Sequence, residues 1–169
     1  AALTGNTDGF GNTATGANAL SSNTLGVWNT ATGLQALQHN TTGQSNTAIG
    51  SFTLSANIGD FNTAIGGFAL RRNITGVFNT ACGVSALQQN TTGDSNTAIG
   101  SGALLSNKIG SSNLAIGNDA LLLAASGHHN TAIGKLALWS FANGSSNIAI
   151  GNEAGGFLTN GHSNIYIGN

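Results

Sequence analysis

The sequence predicts an all-β fold, a parallel β-solenoid of about ten 17-residue coils with two short strands in each. Three observations predict it. A motif Asn-x-Ala-x-Gly recurs at almost constant spacing, Gly and Asn interrupt the chain every few residues, and Pro is absent. Helices need longer runs of 3.6-residue periodicity than such interruptions allow. Stacked coils are joined by backbone hydrogen bonds, and Pro has no N–H to contribute to them.

The elements follow in order along the chain. Residues 1–11, with Ala2-Leu3, Asn6 and Gly9, read as the tail of a truncated coil. Full motifs begin at Asn12, Asn29, Asn46, Asn62, Asn79, Asn96, Asn113, Asn130 and Asn147, and a closing variant at Asn164 carries Tyr166 in place of Ala. The interval is 17 residues except for the 16 between Asn46 and Asn62, where the missing residue falls between Asn57 and Gly59, in a turn. One repeat domain therefore spans 1–169, with a partial coil at 1–11, coils starting at 12, 29, 46, 62, 79, 96, 113, 130 and 147, and a terminal partial coil at 164–169. Residues 12–61 and 62–111 align at an offset of 50, as Gly26-Val27-Trp28-Asn29 against Gly76-Val77-Phe78-Asn79 illustrates. A three-coil block has been duplicated.

Within Asn46-Thr47-Ala48-Ile49-Gly50 the strand period of two puts Thr47 and Ile49 on one face and Asn46, Ala48 and Gly50 on the other. By hydrophobicity the Thr/Ile face is expected inside. Ile49, Ile65, Ile99, Ile116, Ile133 and Ile150 would form one buried column, with Cys82 continuing it as an inert thiol. Leu54 would be the inward residue of a second strand, and Asn57-Ile58-Gly59-Asp60 would turn the chain back. The Ala column (Ala14, Ala31, Ala48, Ala64, Ala81, Ala98, Ala115, Ala132, Ala149) would then face outward, small enough for a second backbone to approach closely. A core of one Ile and one Leu per coil is thin. Close partner chains are expected to supply further burial.

Asn-Thr-Ala-Ile-Gly, followed by Ala-Leu and a Gly-containing turn, resembles the Ser-Val-Ala-Ile-Gly-type repeats in head domains of trimeric autotransporter adhesins and related bacterial and phage fibres. The resemblance covers essentially residues 1–169. It differs in a longer repeat and in Thr where those repeats often carry Val. It implies a left-handed β-roll assembled as a homotrimer, without enzymatic activity.

Composition excludes several functions. Charged residues make up 5% of the chain and its formal net charge is −1, so no basic stripe is present to neutralise phosphates, and no nucleic-acid partner is expected. The longest apolar run, Ala120 to Ala125, is too short to span a bilayer. One cysteine excludes an internal disulfide framework. No acid, base and nucleophile fall into a supporting constellation, and the spacing of inward aliphatics is not that of hexapeptide acyltransferases. Catalytic, cofactor-binding and metal-binding residues are therefore expected to be absent. His128 and His162 share a repeat position two coils apart, roughly 9.6 Å, too far to hold one metal. His129 and His39 lack carboxylates at useful spacing, and Arg71-Arg72 reads as a solvated loop. Trp28, Phe61 and Phe78 precede the motif Asn where other coils carry mainly Ser, and they read as covers for turns or interchain seams, or as an aromatic patch for a glycan or protein.

The expected function is a rigid stalk or head in a surface-displayed, extracellular trimeric adhesin or virion fibre. Candidate partners are two further copies and a host or prey surface protein or glycan. The absence of Met suggests a segment of something longer. A phage tail-fibre shaft and an ice-binding solenoid are the alternatives. The column Thr13, Thr30, Thr47, Thr63, Thr80, Thr97 and Thr131 motivates the ice-binding reading. Its placement on the Ile face, and its replacement by Leu114, Ile148 and Ile165, argue against that reading.

Overall fold

In the computed structural model, which describes residues 1–168, the chain winds through nine turns that join ten three-residue strands into one parallel sheet. The strands are Thr13–Thr15 (β1), Thr30–Thr32 (β2), Thr47–Ile49 (β3), Thr63–Ile65 (β4), Thr80–Cys82 (β5), Thr97–Ile99 (β6), Leu114–Ile116 (β7), Thr131–Ile133 (β8), Ile148–Ile150 (β9) and Ile165–Ile167 (β10). Each pairs with its sequence neighbours at identical repeat positions, Ala48 opposite Ala64 and Ile49 opposite Ile65, for example. No helix occurs among the described residues. Asn169 lies outside them.

The sequence reading had the faces of this sheet reversed. Ala31, Ala48, Ala64, Ala81, Ala98, Ala115, Ala132 and Ala149 are completely buried, whereas Ile49, Ile65, Ile99 and Ile150 are 40–42% exposed. Volume decides this where hydrophobicity misleads. The opposite wall already sends Leu into a narrow interior, as Leu37 and Leu54 do at 0% exposure, and only a methyl fits against it. Cys82 sits in the outward column with the isoleucines and is exposed, not buried.

Asn shares the inward face with Ala, and the fold uses its amide fully. Asn46 Oδ1 accepts from the backbone N–H of Asn62 at 2.9 Å, and one coil earlier in the same ladder Asn29 Oδ1 accepts from both the N–H and the Nδ2 of Asn46. The Nδ2 of Asn46 also donates to the Gly59 carbonyl at 2.9 Å. A second ladder runs through Asn23, Asn40, Asn57, Asn73, Asn90 and Asn107, with Nδ2 to Oδ1 distances of 2.6 Å from Asn90 to Asn73 and 2.8 Å from Asn107 to Asn90. A buried amide with its partners in place removes the penalty of burying it. From Ala124 onward this second column becomes apolar, passing to Phe141 and Leu158.

One strand per coil is found, not two. Ala36 and Leu37 are both fully buried although they are consecutive, which the alternation of a regular strand forbids. The backbone achieves it by putting alternate residues in the left-handed region: Gln35 (φ 56°) and Leu37 (φ 50°), then Phe52 (φ 58°) and Leu54 (φ 50°) one coil on. Hydrogen bonds between coils persist here, from Leu37 N–H to Thr53 O and from Phe52 N–H to Leu34 O. At the strand exit, Gly33 has φ 133°, and a Cβ there would collide with the Gly50 carbonyl of the next coil. The 16-residue coil is accommodated where the sequence placed the deletion. Asn57 reaches the Gly59 carbonyl two residues on, while Asn40 reaches the Gly43 carbonyl three residues on.

Candidate functional site

Because Ala and Asn turn inward, the sheet presents two outward columns of larger side chains. The column led by Thr13 stays Thr through β6, becomes Leu114, returns to Thr131 and ends in Ile148 and Ile165. The column led by Thr15 passes through Thr32 to Ile49 and Ile65, Cys82, and then Ile to the end. The face is therefore graded, from rungs with two Thr at β1 and β2 to rungs with two Ile at β9 and β10.

Aromatic clusters flank this face on both sides. Where the chain enters the strands, Phe61 and Phe78 stack at 5.0 Å and 3° between planes, and Phe10 meets Trp28 edge-on at 5.5 Å. Where it leaves them, Phe52 and Phe68 stack at 5.4 Å, and the Arg71 guanidinium lies 5.6 Å from each ring. These contacts are within aromatic and cation–π range. The Arg71 side chain is thus engaged with two rings rather than free in a loop. Its neighbour Arg72 donates from Nη1 to Gln89 Oε1 at 2.9 Å.

The entering aromatics stand at strained backbone positions. Trp28, Phe61 and Phe78 have φ of 56–58°, at the site where Ser45 and Ser95 adopt the same conformation. A bulky residue there is conformationally disfavoured, and persists where something else compensates for it. All three side chains are more than half exposed, and the coil stacking holds their backbone: the N–H groups of Trp28, Phe61 and Phe78 donate to the carbonyls of Phe10, Gln44 and Asp60 in the preceding coil.

The histidines fall into a capping role. His128 Nδ1 accepts the Ser111 N–H and His162 Nδ1 accepts the Ser145 N–H, both at 3.1 Å. Asp60 and Asp94 do the same for the N–H of Gln44 and Val77 at 2.8 Å. The shared position of His128 and His162 therefore reflects a repeated backbone cap. His39 and His129 take no part in it. No group of three His, Cys, Asp or Glu side chains gathers as a metal site among the described residues. The notable concavity is a groove of about 530 Å³ at the C-terminal end, lined by Glu153, Gly155, Gly156, Phe157, Leu158 and Tyr166. No described helix is long and apolar enough to cross a membrane.

Sequence reasoning found the residues of this surface but not its side. Thr47, Ile49 and Cys82 were expected within the core and stand outside it. The signal that would have found them is the paired Ala-Leu of each coil, which already fills the interior. No protein-family model, curated protein or solved structure matches the chain.

Proposed function

We propose that this chain is a non-enzymatic structural or adhesive segment of a homotrimeric fibre, displayed on a cell surface or virion, in which three copies pack their Thr/Ile faces around a common axis. The observation that carries this reading is the outward face itself. It is ten rungs or about 43 Å long at ordinary strand spacing, and from β3 to β10 every rung presents at least one Ile, Leu or Cys side chain. Continuous exposed apolar patches of this kind mark interaction surfaces. Three as the number of copies, and a left-handed coil, come from the resemblance to adhesin-head repeats. The Ala column no longer contributes, since it is spent inside each roll. As a stalk or head, the stacked coils would hold whatever binds a host or prey surface protein or glycan away from the cell or particle.

Light scattering on the purified chain tests this, with about three times 16.7 kDa expected. Cys82 provides a second readout because it lies within the face. Maleimide should label it slowly in the assembly and at least about tenfold faster once the copies are separated. A monomer at high concentration with a freely reactive Cys82 would refute the proposal.

One observation favours the ice-binding reading more than the sequence did. The Thr column points outward, and β1 and β2 each present two Thr. Ile and Leu then interrupt the Thr array from β3 onward, which favours protein association. Thermal hysteresis by a monomer in dilute solution would reverse that preference.

A further inference from the structure

Two of the chain's four basic residues, Arg71 and Arg72, stand side by side on a surface built mainly from Asn, Thr, Ser and Gly. Both are exposed. They follow Leu70, whose side chain fills the roll from the wall opposite the sheet, so they lie away from the Thr/Ile face and stay accessible when copies pack through it. Coil stacking does not require them. The duplicated block places Asn18, Ser21 and Ser22 where Phe68, Arg71 and Arg72 stand, and the backbone bonds are the same: Ser22 N–H to Gln38 O at 3.0 Å, Arg72 N–H to Gln88 O at 3.1 Å.

The two guanidinium groups are held in place rather than loosely solvated. Arg71 lies 5.6 Å from the ring centroids of Phe52 and of Phe68, which stack at 5.4 Å, and its side-chain N–H groups have no acceptor within the chain among the described residues. Arg72 is fixed through Nη1 by Gln89 Oε1 at 2.9 Å, which leaves its other N–H groups to an outside acceptor. The five acidic side chains are placed elsewhere. Asp60 and Asp94 accept the backbone N–H groups of Gln44 and Val77, and Asp119 stands three coils beyond Phe68 in the same column, roughly 14 Å along the axis. Asp8 and Glu153 lie toward the two ends of the solenoid.

We infer that Arg71 and Arg72 bind the carboxylate of an acidic sugar, a sialic or uronic acid on a host or prey glycan, with the Gln88 and Gln89 amides of the next coil taking its hydroxyls. Arginine presents its N–H groups in a planar fork that matches a carboxylate. Ordering by the ring pair and by Gln89 reduces the entropy that two free side chains would lose on binding. The charge is too local for a polyanion. Lys108 and Lys135 stand at other repeat positions two and four coils further on, so no row of cations continues from the pair as nucleic acid or a densely sulfated chain requires. The inference deepens the adhesive half of the proposed function and rests on it. Three copies would present three such sites around one fibre, which raises the apparent affinity for a multivalent surface.

Retention of the purified chain on surfaces bearing sialyllactose, hyaluronan oligosaccharide or neutral lactose tests this, with heparin and double-stranded DNA alongside. Retention on at least one of the two carboxylated glycans should exceed that on lactose by at least about tenfold, and Arg71→Ser with Arg72→Ser should remove most of that difference. That variant copies Ser21 and Ser22 and should melt with the parent. Arg71→Lys with Arg72→Lys keeps the charge but loses the fork, and should bind at least about threefold more weakly. Equal retention on lactose, unchanged binding by either variant, or stronger retention on heparin or DNA than on both carboxylated glycans would each overturn the inference. Light scattering keeps the two proposals apart: a trimer without glycan retention overturns this inference alone, and a monomer that retains the glycan overturns the trimer reading alone.

Discussion

Ala124 stands where an asparagine would donate to Asn107 Oδ1, and that oxygen is consequently buried without a hydrogen-bond partner. Every earlier asparagine in the ladder has its Oδ1 filled by the Nδ2 of the next, ending with Asn107 donating to Asn90 at 2.8 Å. The ladder stops because the interior changes from amide to hydrocarbon, with Phe141 following Ala124 in the same column. The orphaned acceptor marks the junction between two ways of filling one roll.

Its energetic consequence is measurable. Asn90→Ala would leave both Asn73 Oδ1 and Asn107 Nδ2 short of a partner, whereas Asn107→Ala strands Asn90 Oδ1 but removes the existing orphan. Asn90→Ala is therefore expected to destabilise the chain more, by about 1–3 kcal/mol. Denaturant unfolding of the two variants side by side checks this, and equal midpoints would contradict it.

The inverted faces make adjacent residues respond in opposite ways. Ala98→Asp places a carboxylate in a fully buried position with no partner, and should cost several kcal/mol and unfold the neighbouring coils. Ile99→Asp alters an exposed column, so the coil should persist while association of copies weakens. Circular dichroism melts read the first effect and light scattering the second. Unfolding by Ile99→Asp with Ala98→Asp tolerated would restore the opposite orientation of the sheet.

Gly33→Ala tests the stacking distance directly. The residue has φ 133°, and the added methyl would meet the carbonyl of Gly50 in the next coil. A loss of about 1–3 kcal/mol or more is expected from backbone strain alone. Ala at Gly67, where a Cβ would find its nearest neighbour at 3.9 Å, should be much better tolerated. Comparable melting of the two variants would show that coil-to-coil contact at Gly33 is not limiting.

How much of this was legible can be judged from particular residues. The spacing of Asn46, Asn62 and Asn79 determined the coil, its length and its single deletion, because a repeat stacked on itself leaves one period in the chain. The same spacing located the strands at Thr47–Ile49 and its equivalents, and Gly33 and Gly50 marked the exits. The edge aromatics Trp28, Phe61 and Phe78 were visible as departures from the usual Ser.

Which way the strand faces was decided only by the tertiary structure. Alternation separates Thr47 and Ile49 from Ala48, but it does not say which set enters the roll; that depends on the space left by Leu37 and Leu54 from the opposite wall and on amide partners that only adjacent coils provide to Asn46. The second strand failed for a related reason. Burying Ala36 and Leu37 together requires left-handed backbone at Leu37, an otherwise costly conformation held in place by the coils stacked on either side. Local sequence set the period and the turns, while packing across an interior one side chain deep set the direction of every residue between them.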